Sequence, residues 1–206
     1  MTPDLIFHLG SFNAKERFHL LSYTSGGAAF QLGDQFKSDV ERVLNLPIPQ
    51  DAFVAMDYHL DWIFAALHLS SAHDTSAIFP NCGEIKAQQE DIDFLIAFLS
   101  EGRFHLVMIE AKSASAWSNS QLSSKAQRMR EIFGDQGDRW PDVIPHFLLV
   151  SPEQSGKLKN DDWPQWMRVS CQWIELPVPD NLKKITRCDD SGMQRKEGKN
   201  WRVIDR

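Results

Sequence analysis

Apolar positions along this chain change period part-way through. Over the first 70 residues the spacing is helical. Residues 14–22 and 32–44 carry apolar side chains at helical intervals, separated by Ser25-Gly-Gly27, and after Pro47 and Pro49 the helical reading resumes over residues 51–69. Residues 70–89 form an irregular connection with a short strand at 77–79. Two strand-like runs follow. Residues 94–98 are five consecutive apolar residues, and residues 104–109 are apolar with one histidine. The short Gly-containing link Leu99-Ser-Glu-Gly-Arg103 makes these runs antiparallel neighbours in a hairpin.

With Glu101 and Gly102 as the central turn residues, paired positions sum to 203 and Asp93 falls across from Glu110. Their Cβ atoms would then stand roughly 4.5–5.5 Å apart. A three-residue loop with a bulge is the alternative, and a one-residue slip would send the two acids to opposite faces. Alternation along the strand puts Glu110 and Lys112 on one face, with Val107, Ile109 and Ala111 on the other. Two close carboxylates repel unless a cation neutralises them, and hard oxygen ligands in small number suit Mg²⁺. Such an ion would polarise a phosphodiester and acidify a water, with the Lys112 ammonium at hand to position that water or stabilise developing charge.

A polar loop at residues 113–120 leads into a helix, QLSSKAQRMREIF, with Ser120 or Asn119 as N-cap. Leu122, Ala126, Met129 and Phe133 form its apolar face. Gln121, Lys125 and Arg128 form a polar and basic stripe beside that face, in a position to overhang the strand end. Beyond the helix, the Pro-bounded run 145–152 reads as a buried strand beside the Glu110 strand, reached by the helical crossover. Residues 172–176 supply another strand, and 201–204 an edge piece. The sum is an α/β (α+β) mixed sheet flanked by helices, with an N-terminal helical region over residues 1–50 and a core over 51–206.

Asp93, the run Ile109-Glu110-Ala111-Lys112, and Gln121-Leu122 with Lys125 together resemble the PD-(D/E)XK nuclease superfamily, the restriction-endonuclease-like fold. The resemblance covers residues 50–206 as a pattern and is motif-specific over residues 90–133. It implies that Asp93 and Glu110 hold one or two Mg²⁺ ions, or Mn²⁺ in their place, with the backbone carbonyl of Ala111 as a further ligand. It assigns Lys112 to the attacking water and Gln121 to completing the site. The chain departs from the pattern where no Pro precedes the first acid: it reads Gln89-Glu-Asp-Ile-Asp93, which leaves Asp91 as an alternative to Asp93. Many members also carry an acid on the preceding helix; Asp61 is the candidate here, with Asp57, Glu16 and Glu41 behind it.

Composition limits this reading. The chain of 206 residues is 42% hydrophobic and can bury one good core. Three cysteines, Cys82, Cys171 and Cys188, are too widely spaced for a zinc knuckle and odd in number, so free thiols are expected. No segment approaches the roughly 18 apolar residues of a membrane span, and a cytoplasmic protein is expected. The net charge of −6 argues against a strong nucleic-acid binder. Residues 1–100 hold 5 Lys+Arg against 13 Asp+Glu, whereas residues 101–206 hold 17 against 15, so the basic residues follow the Glu-x-Lys strand. Lys125, Arg128 and the loop aromatic Trp117 are the candidate nucleic-acid contacts.

Two functions are therefore expected in order. The first is a Mg²⁺-dependent nuclease, an endonuclease or exonuclease acting on DNA. The alternative is a catalytically weak or inactive protein of the same fold, serving as a binding or scaffolding subunit in a DNA defence, repair or recombination complex. The N-terminal helical region is the candidate surface for a homodimer or for a partner that delivers the substrate.

Overall fold

The computed structural model describes residues 4–24, 31–71, 90–113, 117–179 and 181–205. The turn expected at Ser25-Gly-Gly27, the short strand expected at 77–79 and Cys82 fall outside these residues. Five strands form the main sheet in the order β1 (Phe53–His59), β2 (Asp91–Ser100), β3 (Arg103–Ala111), β4 (Val143–Ser151) and β5 (Gln172–Glu175). The β1–β2 and β2–β3 pairs are antiparallel, while β3–β4 and β4–β5 are parallel. The architecture is thus a mixed α/β sheet with helices packed on it.

The hairpin register is the one the turn chemistry implies. Phe94 pairs with Ile109 and Ser100 with Arg103, each pair summing to 203. Glu101 and Gly102 have φ of 50° and 79°. Two successive positive φ values are what a two-residue turn needs to match strand twist, and Gly102 supplies one without a Cβ penalty.

Alternation then divides the core between the two faces. Leu95, Ala97, Leu106, Met108, Phe147 and Leu149 face one side and pack with helices α1 (Leu5–Phe12), α4 (Leu60–Ser71), α5 (Asn119–Phe133) and α6 (Gln165–Ser170). Ile96, Phe98, Val107, Ile109, Leu148 and Val150 face the other, where Val40 of α3 (Asp34–Leu44) covers them. Helix α2 (Glu16–Thr24) buries no residue of its own. The N-terminal helices share these cores: Leu5 and Leu9 are fully buried, and the Tyr58 hydroxyl donates to the Leu9 carbonyl at 2.8 Å.

The helix expected over residues 51–69 is not one helix. Its first half is β1, paired antiparallel with β2, and only its second half is α4. Val54 contributes to one core face and Ala55 to the other, so both sides of β1 are covered and its apolar run lacks the two-residue alternation that would have marked a strand. Asp57 interrupts the strand with φ of 49°, between the pairs Met56–Phe94 and Tyr58–Ile92. Helix α1 was also missing from the expected elements.

Strand β4 and the crossover helix α5 stand where the sequence placed them, with Glu110 opposite Leu149 in the parallel ladder. The N-cap is Ser118 rather than Ser120 or Asn119. The Asn119 side chain is engaged elsewhere, accepting from the Lys159 N–H at 2.8 Å and donating to the Lys157 carbonyl. The residues at 201–204 do not edge the main sheet. They belong to β7 (Asn200–Asp205), which pairs with an unanticipated β6 (Lys183–Cys188) in a separate two-stranded sheet.

Candidate metal and phosphodiester site

Three elements meet where the β2–β3 ladder opens. Pairing of β2 with β3 ends at Phe94 and Ile109, which leaves Asp93 and Glu110 as the next opposed positions. There the Asp93 carboxylate takes over the role of a backbone acceptor: its Oδ2 receives the Ala111 N–H at 2.7 Å. Lys112 rejoins the sheet on the other side, donating its backbone N–H to the Val150 carbonyl at 2.8 Å. The first turns of α5 overhang this strand end. The result is a cleft of about 530 Å³ lined by Asp91, Asp93, Glu110, Ala111, Lys112, Trp117, Gln121 and Lys125, together with Glu90, Ser120, Leu122 and Ser124. It lies at the carboxyl end of β3, where the parallel part of an α/β sheet commonly leaves a crevice.

Glu110 sits on the same side of β3 as Leu106 and Met108, hence beneath α5, and is only 6% exposed. Burial pushes its carboxyl up to about 7, against the opposing pull of the Lys125 and Lys112 ammonium groups; the Asp93 charge adds to the rise. Lys125 is the direct partner. Its Nζ donates to Glu110 Oε1 and, at 2.6 Å, to the Asp91 backbone carbonyl. The expected outward contact by Lys125 therefore gives way to an inward one, because the helix face carrying it also carries the buried Leu122, Ala126 and Met129.

Asp91 and Asp93 both line the cleft, but they differ in their partners. Lys15 Nζ pairs with Asp91 Oδ2 at 2.7 Å, and the His59 ring lies against the other carboxylate oxygen. Lys15 was absent from the sequence-derived site. It lies 76 positions before Asp91, and no local spacing signals such a contact. Ser124, which donates to Glu90 Oε1 at 2.6 Å, was missed for the same reason.

Lys112 points at the loop aromatic, with Nζ 5.7 Å from the centre of the Trp117 ring. Gln121 is exposed on the cleft wall. Two expected positions fall away from the cleft. Arg128 is 4% exposed and bonded to Asp61 at 3.2 Å and Glu131 at 3.3 Å, so its guanidinium is a buried structural group and not a nucleic-acid contact. Asp61 is held by that same pair and does not line the cleft. Asp57 is likewise paired, with Arg17 at 3.1 Å.

Among the described residues, no group of three or more His, Cys, Asp or Glu side chains is gathered to hold a metal ion. The donor set that does converge is smaller: two opposed carboxylates and the neighbouring backbone. That set fits Mg²⁺, which keeps most of its waters and takes one or two carboxylates along with substrate phosphate oxygens.

No protein-family model, curated protein or solved structure matches this chain. The site must therefore be read from its own chemistry. Both described cysteines, Cys171 and Cys188, are free thiols, and burial pushes the Cys171 thiol up to about 12. No described helix is long and apolar enough to cross a membrane.

Proposed function

We propose that this protein is a Mg²⁺-dependent nuclease that hydrolyses phosphodiester bonds of DNA, built on a restriction-endonuclease-like version of the mixed sheet described above. The observation that carries the reading is the opposition of Asp93 and the buried Glu110 at the mouth of one cleft with Lys112 and Gln121. Asp93, Glu110 and the Ala111 carbonyl would hold the ion, and Asp93 is preferred over Asp91 because the Asp91 carboxylate is already held by Lys15 and His59. When bound, Mg²⁺ supplies Lewis-acid polarisation of the phosphate and acidifies a water.

The chain's own groups supply the rest. Lys112 extends from the strand end next to the carboxylates, where its ammonium stabilises the charge that develops on the phosphate or orients the attacking water. Gln121, exposed on the first turn of α5, offers an amide to hold that water in line. Lys125 keeps Glu110 charge-compensated and thus holds the carboxylate in the cleft between turnovers.

The same Lys125 contact supports a second reading. A carboxylate already neutralised by an ammonium has no need of a metal, and such a cleft would serve a non-catalytic binding or scaffolding subunit in a DNA complex. Cleavage of linear, circular and single-stranded DNA in Mg²⁺, Mn²⁺ or EDTA separates the two. Metal-dependent cleavage by wild type that disappears in both Glu110→Ala and Lys112→Ala is the nuclease result. Folded wild-type protein that cleaves none of these substrates sends the assignment to the binding subunit.

A further inference from the structure

The hairpin formed by β6 and β7 inverts the charge of the rest of the chain. Residues 181–206 carry eight Lys+Arg and four Asp+Glu, while residues 1–180 carry 14 and 24. A chain that is acidic overall thus carries a net positive balance over the segment that forms this two-stranded ribbon. Cross-strand pairing places Ile185 opposite Val203 and Arg187 opposite Trp201 on one face. Ile185, Val203 and Trp201 are 61%, 63% and 62% exposed, so this face carries an uncovered apolar centre. The Arg187 guanidinium lies over the Trp201 ring, 5.5 Å from its centre, which couples the cation to the aromatic.

The ribbon is ordered from within. Asp189 accepts from the Ser191 and Met193 N–H groups, each at 3.0 Å, and fixes the turn. Gly198 packs so tightly that an added Cβ would come within 2.4 Å of the Cys188 carbonyl oxygen, which pins the return of the chain. Lys183 is tied to Asp205, but Lys184, Lys196 and Lys199 are exposed and, among the described residues, carry no ion pair.

We infer that this hairpin is a docking element for double-stranded DNA, entering the major groove with its Ile185–Trp201–Val203 face, while Lys184 on the opposite face and Lys196 and Lys199 in the connection before β7 reach toward the flanking phosphates. Two strands about 4.8 Å apart fit a groove about 12 Å wide, and apolar or stacked side chains there contact base edges and thymine methyls. An exposed apolar face of this kind also suits a protein partner, but three exposed lysines on the same ribbon, in a segment with a net excess of Lys and Arg, match a polyanion. The choice of DNA rests on the nuclease reading of the cleft, whereas the geometry belongs to the hairpin alone.

The test measures binding of a fluorescently labelled 24-base-pair duplex, at roughly five salt concentrations, in EDTA. It compares the full-length wild type with the triple variant Lys184→Ala, Lys196→Ala, Lys199→Ala, whose positions are solvent-exposed and leave the fold intact. The expected result is at least about tenfold weaker binding by the triple variant, with the slope of log affinity against log salt flattened by roughly 0.9 for each phosphate contact removed. Wild type should also prefer the duplex to its single strand. Equal affinity and slope in the two proteins would overturn the proposal, as would failure of wild type to bind the duplex. Displacement of the duplex by poly-glutamate as readily as by unlabelled DNA would point to an acidic polypeptide and overturn it too. Cleavage plays no part in this readout. Hairpin-dependent binding by a protein that never cleaves would retire the nuclease reading and keep the hairpin; cleavage with hairpin-independent binding would do the reverse.

Discussion

Strand β3 carries two buried ionisable groups, His105 and Glu110, on opposite faces of the same sheet. His105 stacks on Phe98 with ring centres 5.2 Å apart and shares a 3.0 Å hydrogen bond with His146 of β4. Burial lowers both imidazoles, His146 to about 4, so the pair is neutral and one ring accepts from the other. Glu110 is buried to a similar degree, yet it faces an open cleft, a second carboxylate and two ammonium groups. Desolvation moves both sites toward neutrality. What separates them is access and the sign of the neighbours: the histidines have satisfied each other, whereas Glu110 remains poised near neutral pH between a proton, an ammonium and an incoming cation.

The comparison breaks most visibly in activity. In the nuclease reading, Glu110→Gln, which keeps the size of the side chain and removes its charge, should lower Mg²⁺-dependent cleavage by about 1,000-fold, ~4 kcal/mol of transition-state stabilisation. His146→Gln should stay within about twofold of wild type, since a neutral pair on the far face touches neither the cleft nor its charges. Equal losses in the two variants, measured as kcat/KM on one duplex, would show that the two faces are not distinct in function.

Stability gives the next largest contrast. Lys125→Met leaves the buried Glu110 carboxylate without its ammonium, and breaking a buried pair from one side costs roughly 3 kcal/mol. The cost should be greatest at pH 8 and shrink at pH 6, where Glu110 can take a proton instead. Urea denaturation in EDTA at the two pH values reads this directly. A loss that is the same at both would mean that the Lys125 stem, and not its charge, does the stabilising.

The two sites also oppose each other in their dependence on pH. Glu110 titrates near 7 in the folded protein against an ordinary 4.5, so the folded state holds the extra proton and stability falls as pH rises through that window. His146 titrates near 4 against an ordinary 6.5, so the unfolded state holds the extra proton and stability rises with pH between those values. Each full proton is worth about 1.4 kcal/mol per pH unit. Removing Glu110 should therefore steepen the climb in stability between pH 4.5 and 6.5, and His146→Gln should flatten it. Denaturation midpoints across this range that leave both variants parallel to wild type would sink the assignment of these slopes.

Much of the cleft is legible in the sequence because its parts are close along the chain. Asp93, Glu110 and Lys112 are joined by one hairpin whose turn, at Glu101-Gly102, sets the register by backbone chemistry alone. The helix bearing Gln121 and Lys125 follows within a few residues. Arg128 misled for an instructive reason. It continues the polar stripe at helical spacing, but a long polar stem at the edge of an apolar face can be buried as soon as an acid comes from elsewhere, and Asp61 of α4 does so. Strand β1 failed differently: covered on both faces, it has no alternation to show, and its adjacency to α4 without a break completed the disguise. Lys15 and His59 reach Asp91 only through the tertiary fold.

The smallest expected effect concerns the aromatic neighbours of the two sites. Phe98 lies against a neutral imidazole, while Trp117 lies under the Lys112 ammonium at 5.7 Å. A half-exposed contact of the second kind contributes about 0.5–1 kcal/mol, with the face of the indole supplying the attraction. Trp117→Leu should remove that much stability, and Trp117→Phe, which keeps a weaker ring face, should recover part of it. In the nuclease reading the ring also restrains Lys112 beside the carboxylates. Trp117→Leu should accordingly lower kcat about threefold, with KM for a short duplex unchanged, an entropic effect of one loosened side chain. A rise in KM at constant kcat would instead make Trp117 a direct DNA contact. The aromatic would then belong to substrate binding, and Lys112 would hold its position without help from the ring.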